Sequence, residues 1–239
     1  MSTITKPVKP LGQKAYGSIP HLPGSRRGPA DKGLSESQAS ICTTKARDRH
    51  DVIIVQEKLD GSNCSVAKVG GEILALGRAG YLAETSPYEQ HHLFARWVKD
   101  NYGRFDALLN EGERCVGEWL AQAHGTRYAL PHEPYVIFDI MRGTERAPWE
   151  VVEGRCSGFK TPRVIRVGGP MAIDEMLAVL EPSGHGALDP VEGAVWRVER
   201  RGAVDFLGKY VRPDKVDGWL LPEFCGGVTT WNWRPQESL

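Results

Sequence analysis

Residues 51–63 read DVIIVQEKLDGSN: a β-branched run, Val52 to Val55, that breaks at Glu57-Lys58-Leu59-Asp60-Gly61. Consecutive β-branched residues favour a strand, and a short apolar run bounded by turn residues favours one that is buried. The Asp-Gly pair ends that strand in a turn. A lysine at such a point is held on a rigid element and faces a cleft. Beyond it Cys64 to Val69 alternates, and Gly70-Gly71 turns the chain into Glu72 to Leu76, which predicts strand, strand and hairpin.

Working outward, Ser86-Pro87-Tyr88-Glu89 has the form of a capping box with proline at the first helical position. Leu93, Phe94, Trp97 and Val98 follow at helical spacing, predicting a helix over about 87–101. Arg114 to Leu120 and Tyr135 to Met141 are short apolar runs and read as strands. Ile173, Met176, Leu177 and Leu180 suggest a second helix stopped by Pro182, and 193–199 with 205–211 form a hairpin around Arg200-Arg201-Gly202-Ala203. Many strands with two or three helices in irregular order predict an α+β fold with antiparallel sheets rather than a doubly wound one.

Composition narrows the classes. Thirty Lys and Arg balance thirty Asp and Glu over 239 residues, so no overall field draws in nucleic acid or membrane and any attraction is local. The five cysteines contain no CxxC pair, which speaks against a disulfide framework or zinc ribbon and for a reduced, cytoplasmic protein. No apolar run approaches the roughly 18 residues of a membrane span, and Met1 to Pro10 lacks a signal core. Charge is segregated: residues 1–50 hold nine Lys or Arg against three acids. That segment, with HLPGSRRGPADKG at 21–33, reads as a basic Gly/Pro-rich arm of long loops, and 51–239 as the main domain.

Alone, a K-x-D-G string is usually a surface turn. Here four more short elements follow it in order: Gly117-Glu118-Trp119, Val136-Ile137-Phe138-Asp139-Ile140, Glu192-Gly193-Ala194-Val195-Trp196-Arg197 and Gly208-Lys209-Tyr210-Val211-Arg212. Singly, each is more often a strand-end charge or a core aromatic; the ordered set at strand edges carries the reading. The series resembles the covalent nucleotidyltransferase superfamily of ATP-dependent ligases and mRNA capping enzymes. Its KLDGSN form is most similar to the RNA ligase family that includes phage nick-sealing and trypanosome RNA-editing ligases. The resemblance spans about 50–212.

The resemblance implies an ATP-grasp-like nucleotidyltransferase domain, antiparallel sheets flanked by helices around a nucleotide cleft. It implies an ATP-dependent polynucleotide ligase, acting on RNA before DNA, with Mg²⁺ or Mn²⁺. Lys58 would become adenylylated, and attack by its amine on the α-phosphorus divides one hard condensation into easier steps. At a pKa of about 10.4 the amine is protonated, so burial and a nearby cation, Lys209 or the metal, are expected to lower it. Glu118 would hold the ribose hydroxyls, Phe138 would stack on the adenine, and Lys209 would neutralise the α-phosphate. Glu192 would hold the metal, with Asp139 reaching it or orienting Lys58. Asp60 supports the lysine, Glu57 and Asn63 border the nucleotide, and Arg78 matches a phosphate- or ribose-contacting arginine.

Two departures stand out. Most members end this series in Lys-x-Lys, whereas Lys209-Tyr210-Val211 lacks the second lysine; either Arg212 or Lys215 substitutes, or Lys209 takes the second place and Leu207 the first. Only 27 residues follow Arg212, too few for a further OB-fold domain, so a stand-alone catalytic domain is expected. Grip on RNA ends or nicks would then fall to Arg26, Arg27, Lys32 and His21 of the arm. A kinase or phosphatase partner preparing the ends fits the same reading. His91-His92 lacks metal spacing, and Trp231-Asn232-Trp233-Arg234 reads as a packing strap or a partner contact. Two alternatives stand: a capping-type guanylyltransferase, and an end-binding protein of the same fold without turnover.

Overall fold

The computed structural model describes residues 8–235. Two antiparallel sheets organise it. One has the order β7-β1-β8-β9, from β1 Asp51–Lys58, β7 Val164–Gly168, β8 Gly193–Arg200 and β9 Ala203–Val211. The other has the order β3-β2-β4-β5-β6, from β2 Ser62–Val69, β3 Glu72–Gly77, β4 Glu113–Trp119, β5 Tyr135–Arg142 and β6 Glu145–Arg146. The KLDG turn is the link between them, carrying the chain from the end of β1 in one sheet to the start of β2 in the other. Gly61 is required there, because a Cβ on it would lie 2.6 Å from the Trp119 carbonyl.

Strand alternation gives each sheet two faces with different work. On β1, Ile53 and Val55 pack with Trp196, Val198 and Tyr210 against helices α1 (Glu36–Thr43) and α5 (Ile173–Val179). Gln56 and Lys58 point the other way, toward the second sheet. That sheet buries Cys64, Cys115, Trp119, Tyr135 and Ile137 against α2 (Glu89–Asp100), α3 (Tyr102–Leu108) and α4 (Trp149–Arg155). Phe94 and Trp97 on α2 meet Trp119 at ring separations of 5.2 and 5.5 Å, an aromatic centre that fixes where β4 ends. The opposed faces leave a cleft with Lys58 on its floor.

The expected α+β architecture and both hairpins are present; two features differ in detail. Helix α2 begins at Glu89 without a side-chain cap, because the Ser86 hydroxyl is taken up by the His91 ring at 2.6 Å and the Tyr88 N–H at 3.3 Å. From residue 8 onward the arm is built into the domain. Ser35 and Gln38 form a reciprocal capping box that starts α1, whose Ala39, Ile41 and Cys42 are buried, and residues 20–26 lie along β9. The Trp231–Trp233 segment packs inward, bonded to Ala121 and with Trp233 5.9 Å from Trp119. Among the described residues no helix is long and apolar enough to cross a membrane.

Candidate active site

Strand register explains why residues far apart in sequence meet at Lys58. Lys58 pairs with Gly193, so Glu192 at the mouth of β8 stands across from it, and the Lys58 Nζ donates to Glu192 Oε2 at 2.5 Å. Gly193 has φ +155°, and a Cβ there would meet the Tyr210 carbonyl, so only glycine lets β8 and β9 close at this point. Asn63 pairs with Glu118, and Val195 pairs with Lys209. The cleft is therefore lined by Lys58, Asn63, Arg78, Glu118, Phe138 and Lys209 together.

Phe138 and Asp139 both face this cleft although they are consecutive. The β4–β5 register slips between Val116 and Gly117, leaving Phe138 as the extra residue of a bulge, while Ile137 and Ile140 on either side both face the core. The bulge thus turns two adjacent side chains to one side. Phe138 is open to stack against a flat ring. Asp139 is fully buried and its oxygens are already engaged. Arg197 donates through Nη1 and Nη2, each at 2.8 Å, Tyr16 donates its hydroxyl at 2.7 Å, and Arg146 donates from Nε at 3.2 Å. The expected metal ligand is instead the counterion that holds two arginines and a tyrosine in the cleft wall.

Two other carboxylates also point elsewhere. Glu57 alternates away from Lys58, and its carboxylate accepts from the Ser183 hydroxyl at 2.5 Å and the Gly184 N–H at 2.8 Å. Asp60 accepts from the Gly125 N–H, the Thr126 hydroxyl and Lys215 at 3.1, 3.0 and 3.2 Å, tying the KLDG turn to the loop after β4. Lys215 is committed there, and Arg212 pairs with Asp214 at 2.9 Å. Leu207 and Lys209, two apart on β9, both line the cleft. Arg212 and Lys215, the residues expected to substitute for a second lysine, do not line it.

Charge in the cleft is unevenly matched. Lys58 is held above its ordinary value: burial pushes it down, but Glu192, Glu118 and Asp60 outweigh burial, contrary to the lowering expected from sequence. Burial, and then the Lys58 charge, push Lys209 down. Among the described residues neither Lys209 nor Arg78 has a carboxylate partner; Arg78 donates to the Gly17 carbonyl and the Ser18 hydroxyl. Two cations without carboxylate partners beside a paired lysine suit a polyphosphate. Glu118 is raised to about 7, by burial first and by Glu192 second, against the pull of Lys58.

This last shift has a measurable consequence. A carboxyl whose folded pKa is about 7 and whose ordinary value is 4.5 favours the fold while protonated, so its contribution is present at low pH and is lost as pH rises through that window. Glu118→Gln is expected to remove about 3 kcal/mol of the fall in stability across that window. Chemical denaturation of both proteins at several pH values measures it; identical slopes would show that Glu118 does not carry the shift.

Three parts of the chain contribute residues that escaped the sequence reading. Gln56, two residues before Lys58 and on its face, is 4% exposed with its Nε2 unpartnered among the described residues, a donor aimed into the cleft. Strand period alone would have placed it. Tyr16 and Ile19 of the arm line the opposite side, Tyr16 edge-on to Phe138 at 5.3 Å. The arm is fixed there because the Pro20 carbonyl accepts from the Lys209 N–H at 2.9 Å and the Lys209 carbonyl accepts from the Leu22 N–H at 2.8 Å. Arg197 is the third. None of Arg26, Arg27 or Lys32, the cations expected to grip nucleic acid, lines the cleft, whereas His21 is buried beside Lys209.

For a divalent cation, the side chains on hand are Glu192 and Glu118. Among the described residues no group of three or more ligating side chains occurs. That suits Mg²⁺ or Mn²⁺ bound through one or two carboxylates with phosphate oxygens and water completing the shell, and does not suit a cation held by protein alone.

The sequence matches the RNA ligase family over residues 51–211. The fold is similar to that of an archaeal ATP-dependent RNA ligase, with a TM-score of 0.51 and 18% identity over 82% of this chain and 48% of that one. It is similar to a Naegleria gruberi RNA ligase structure with PPi, at TM-score 0.52 and 21% identity, covering 69% of this chain and 50% of that one. A variant of the Naegleria enzyme with AMP and Mn gives TM-score 0.52 and 20% identity, over 81% and 59% of the two chains. The chain spans about half the length of the first two of these structures. No curated protein sequence matches it.

Proposed function

The chain belongs to the RNA ligase family, and from that premise we propose that it is an ATP-dependent RNA ligase joining 3′-hydroxyl and 5′-phosphate ends through a lysyl-AMP on Lys58. One observation carries the reading: a partly buried lysine ends β1 between a carboxylate, two cations without carboxylate partners and an open aromatic face. In the first step the Lys58 Nζ lone pair attacks the α-phosphorus of ATP, the α–β phosphoanhydride breaks, and pyrophosphate leaves. The amine must first lose a proton. Glu192, at 2.5 Å, is the acceptor in contact, and its own proton affinity is raised by burial. AMP then passes to the 5′-phosphate of the polynucleotide, and a 3′-hydroxyl displaces it to form the phosphodiester.

Each wall of the cleft has a part. Phe138, with Tyr16 behind it, offers the base a stacking face worth about 1–3 kcal/mol, and Gln56 offers it a donor. Glu118 and Asn63 suit the ribose hydroxyls. Lys209 and Arg78 balance charge on the phosphates as it builds in the transition state. Glu192 and Glu118 would hold Mg²⁺ or Mn²⁺, whose chemistry at such a site is to polarise a phosphoryl oxygen and screen its charge. The Asp139–Arg197 pair keeps the wall rigid. The joining needs a 5′-phosphate and a free 3′-hydroxyl, so a kinase-class reaction supplies the first and a phosphatase-class reaction frees the second from a 3′-phosphate.

Sealing assays test the reading. Purified protein with ATP and Mg²⁺ or Mn²⁺ is expected to join a nicked RNA duplex or single-stranded RNA ends, and not ends bearing a 5′-hydroxyl. Absence of joining on RNA and DNA alike, with both kinds of end, would overturn it. Leu207 in the first lysine place favours one alternative, an end-binding protein without turnover, which that same null result would support.

A further inference from the structure

The arm brings a histidine beside Lys209, the one lysine of β9. Backbone bonds alone hold it there. The Leu22 N–H donates to the Lys209 carbonyl at 2.8 Å and the Lys209 N–H to the Pro20 carbonyl at 2.9 Å. On the other side the His21 N–H donates to the Lys32 carbonyl at 2.7 Å, and the His21 carbonyl accepts from the Leu34 N–H at 2.8 Å. The arm therefore does not need the His21 imidazole to stay in place, yet the residue is 3% exposed. Resting on the ligase reading above, we propose that His21 is a positioning residue for Lys209: its ring is a spacer that keeps the Asp31 carboxylate from pairing with the Lys209 ammonium, which stays free for the phosphates of ATP.

Hydrogen bonds fix the state of the ring. Nδ1 lies 2.7 Å from Ser25 Oγ, which already accepts from the Val211 N–H at 2.9 Å. The Ser25 hydroxyl proton has two acceptors in reach, Nδ1 and the Arg26 carbonyl at 3.4 Å, and the shorter contact takes it. Nδ1 is then the acceptor, and Nε2 carries the proton. Nε2 approaches Asp31 Oδ2 to 3.3 Å but off the line of a hydrogen bond, so it is a buried donor without a hydrogen-bond partner among the described residues. A group left in that state costs stability, and a reason other than stability is needed for it. Burial first, and then the Lys209 charge, push the His21 pKa down to about 4 against the pull of Asp31, with Lys58 and Arg27 adding to the fall. The ring is neutral at working pH, so it neither repels Lys209 nor neutralises Asp31.

Asp31 is the carboxylate that Lys209 would otherwise find. Two acids act on the Lys209 charge, Asp31 before Glu192, and two cations, Lys58 and Arg78, oppose it. Glu192 is taken by Lys58 at 2.5 Å. Asp31 accepts from the Gly28 N–H at 2.9 Å and keeps its second oxygen, on a side chain 39% exposed. A Lys209 drawn to that oxygen would meet the triphosphate with its charge already matched. The imidazole against Asp31 denies it the approach.

Single-turnover self-adenylylation and binding of the α,β-methylene analogue of ATP test the spacer together. His21→Ala opens the space between the two charges and is expected to slow AMP transfer at saturating ATP at least about tenfold, and to weaken the analogue about tenfold. Asp31→Asn alone should change either by less than about twofold, and combined with His21→Ala it should recover most of both losses, because the competing carboxylate is gone. In Lys209→Met, His21→Ala should not weaken the analogue further. His21→Asn, also too short to part the charges, takes the place of alanine in each pair if the alanine variant does not fold. A His21→Ala that behaves as wild type, a double variant as impaired as His21→Ala, or a further loss in Lys209→Met would overturn the proposal and leave His21 a packing residue. If wild type takes up no AMP but the analogue shows the full pattern, the spacer stands and the ligase reading falls; if the analogue shows no such pattern either, both fall.

Discussion

Lys58→Arg is expected to abolish the joining of 5′-phosphorylated ends, by about 10⁴-fold or more, in a protein that remains folded. The arginine keeps the positive charge, reaches toward Glu192 and preserves the ion pair that closes β1 against β8. What it lacks is a removable proton: the guanidinium stays charged at any working pH and offers no lone pair to phosphorus. The substitution therefore separates the ion pair that Lys58 makes from the nucleophilic role proposed for it. Thermal melts should differ by no more than a few degrees while sealing disappears. An RNA end supplied already adenylylated needs no lysyl intermediate, so some sealing of it should survive. If Lys58→Arg joins 5′-phosphorylated ends within about tenfold of wild type, the lysine is not the nucleophile.

The second large effect is on stability. Asp139→Ala should destabilise the fold by about 3–5 kcal/mol, because it strands Arg197, 1% exposed, together with Arg146 and the Tyr16 hydroxyl. For a chain of this size that is a fall in Tm of about 10 °C or more. Adding Arg197→Met, which removes the stranded charge and nearly keeps the volume, should recover part of the loss. Urea denaturation of the wild type, both single variants and the double variant closes the cycle. Simple additivity would mean that the pair does not act as a unit.

The parts of the fold carried by local pattern were legible in the sequence. The β-branched run of β1, the Gly-Gly turn between β2 and β3 and the hairpin of β8 and β9 all signal themselves within a few residues. So did the ordered motifs, because strand ends are where a sheet can present a side chain to a cleft. What escaped depends on contacts across the chain. The bulge that turns Phe138 and Asp139 to the same side arises from pairing with β4 and leaves no local mark. Asp139 looked free because Arg197 and Tyr16 lie 58 and 123 residues away. The arm looked like loops because α1 needs just three buried residues, and its Tyr16 becomes part of the cleft only through the backbone bonds to β9. Lys58 was expected to be lowered because its carboxylate neighbours come from β4, β8 and the turn, whose convergence is a tertiary fact.

The most direct measurement is the intact mass of the purified protein, stripped of any bound nucleotide, after incubation with Mg²⁺ or Mn²⁺ and separately with ATP, GTP or NAD. The account predicts that ATP adds one AMP, that the addition maps to the peptide containing Lys58, and that Lys58→Arg gains nothing. An unchanged mass with all three nucleotides, or a nucleotide attached at another residue, would contradict it.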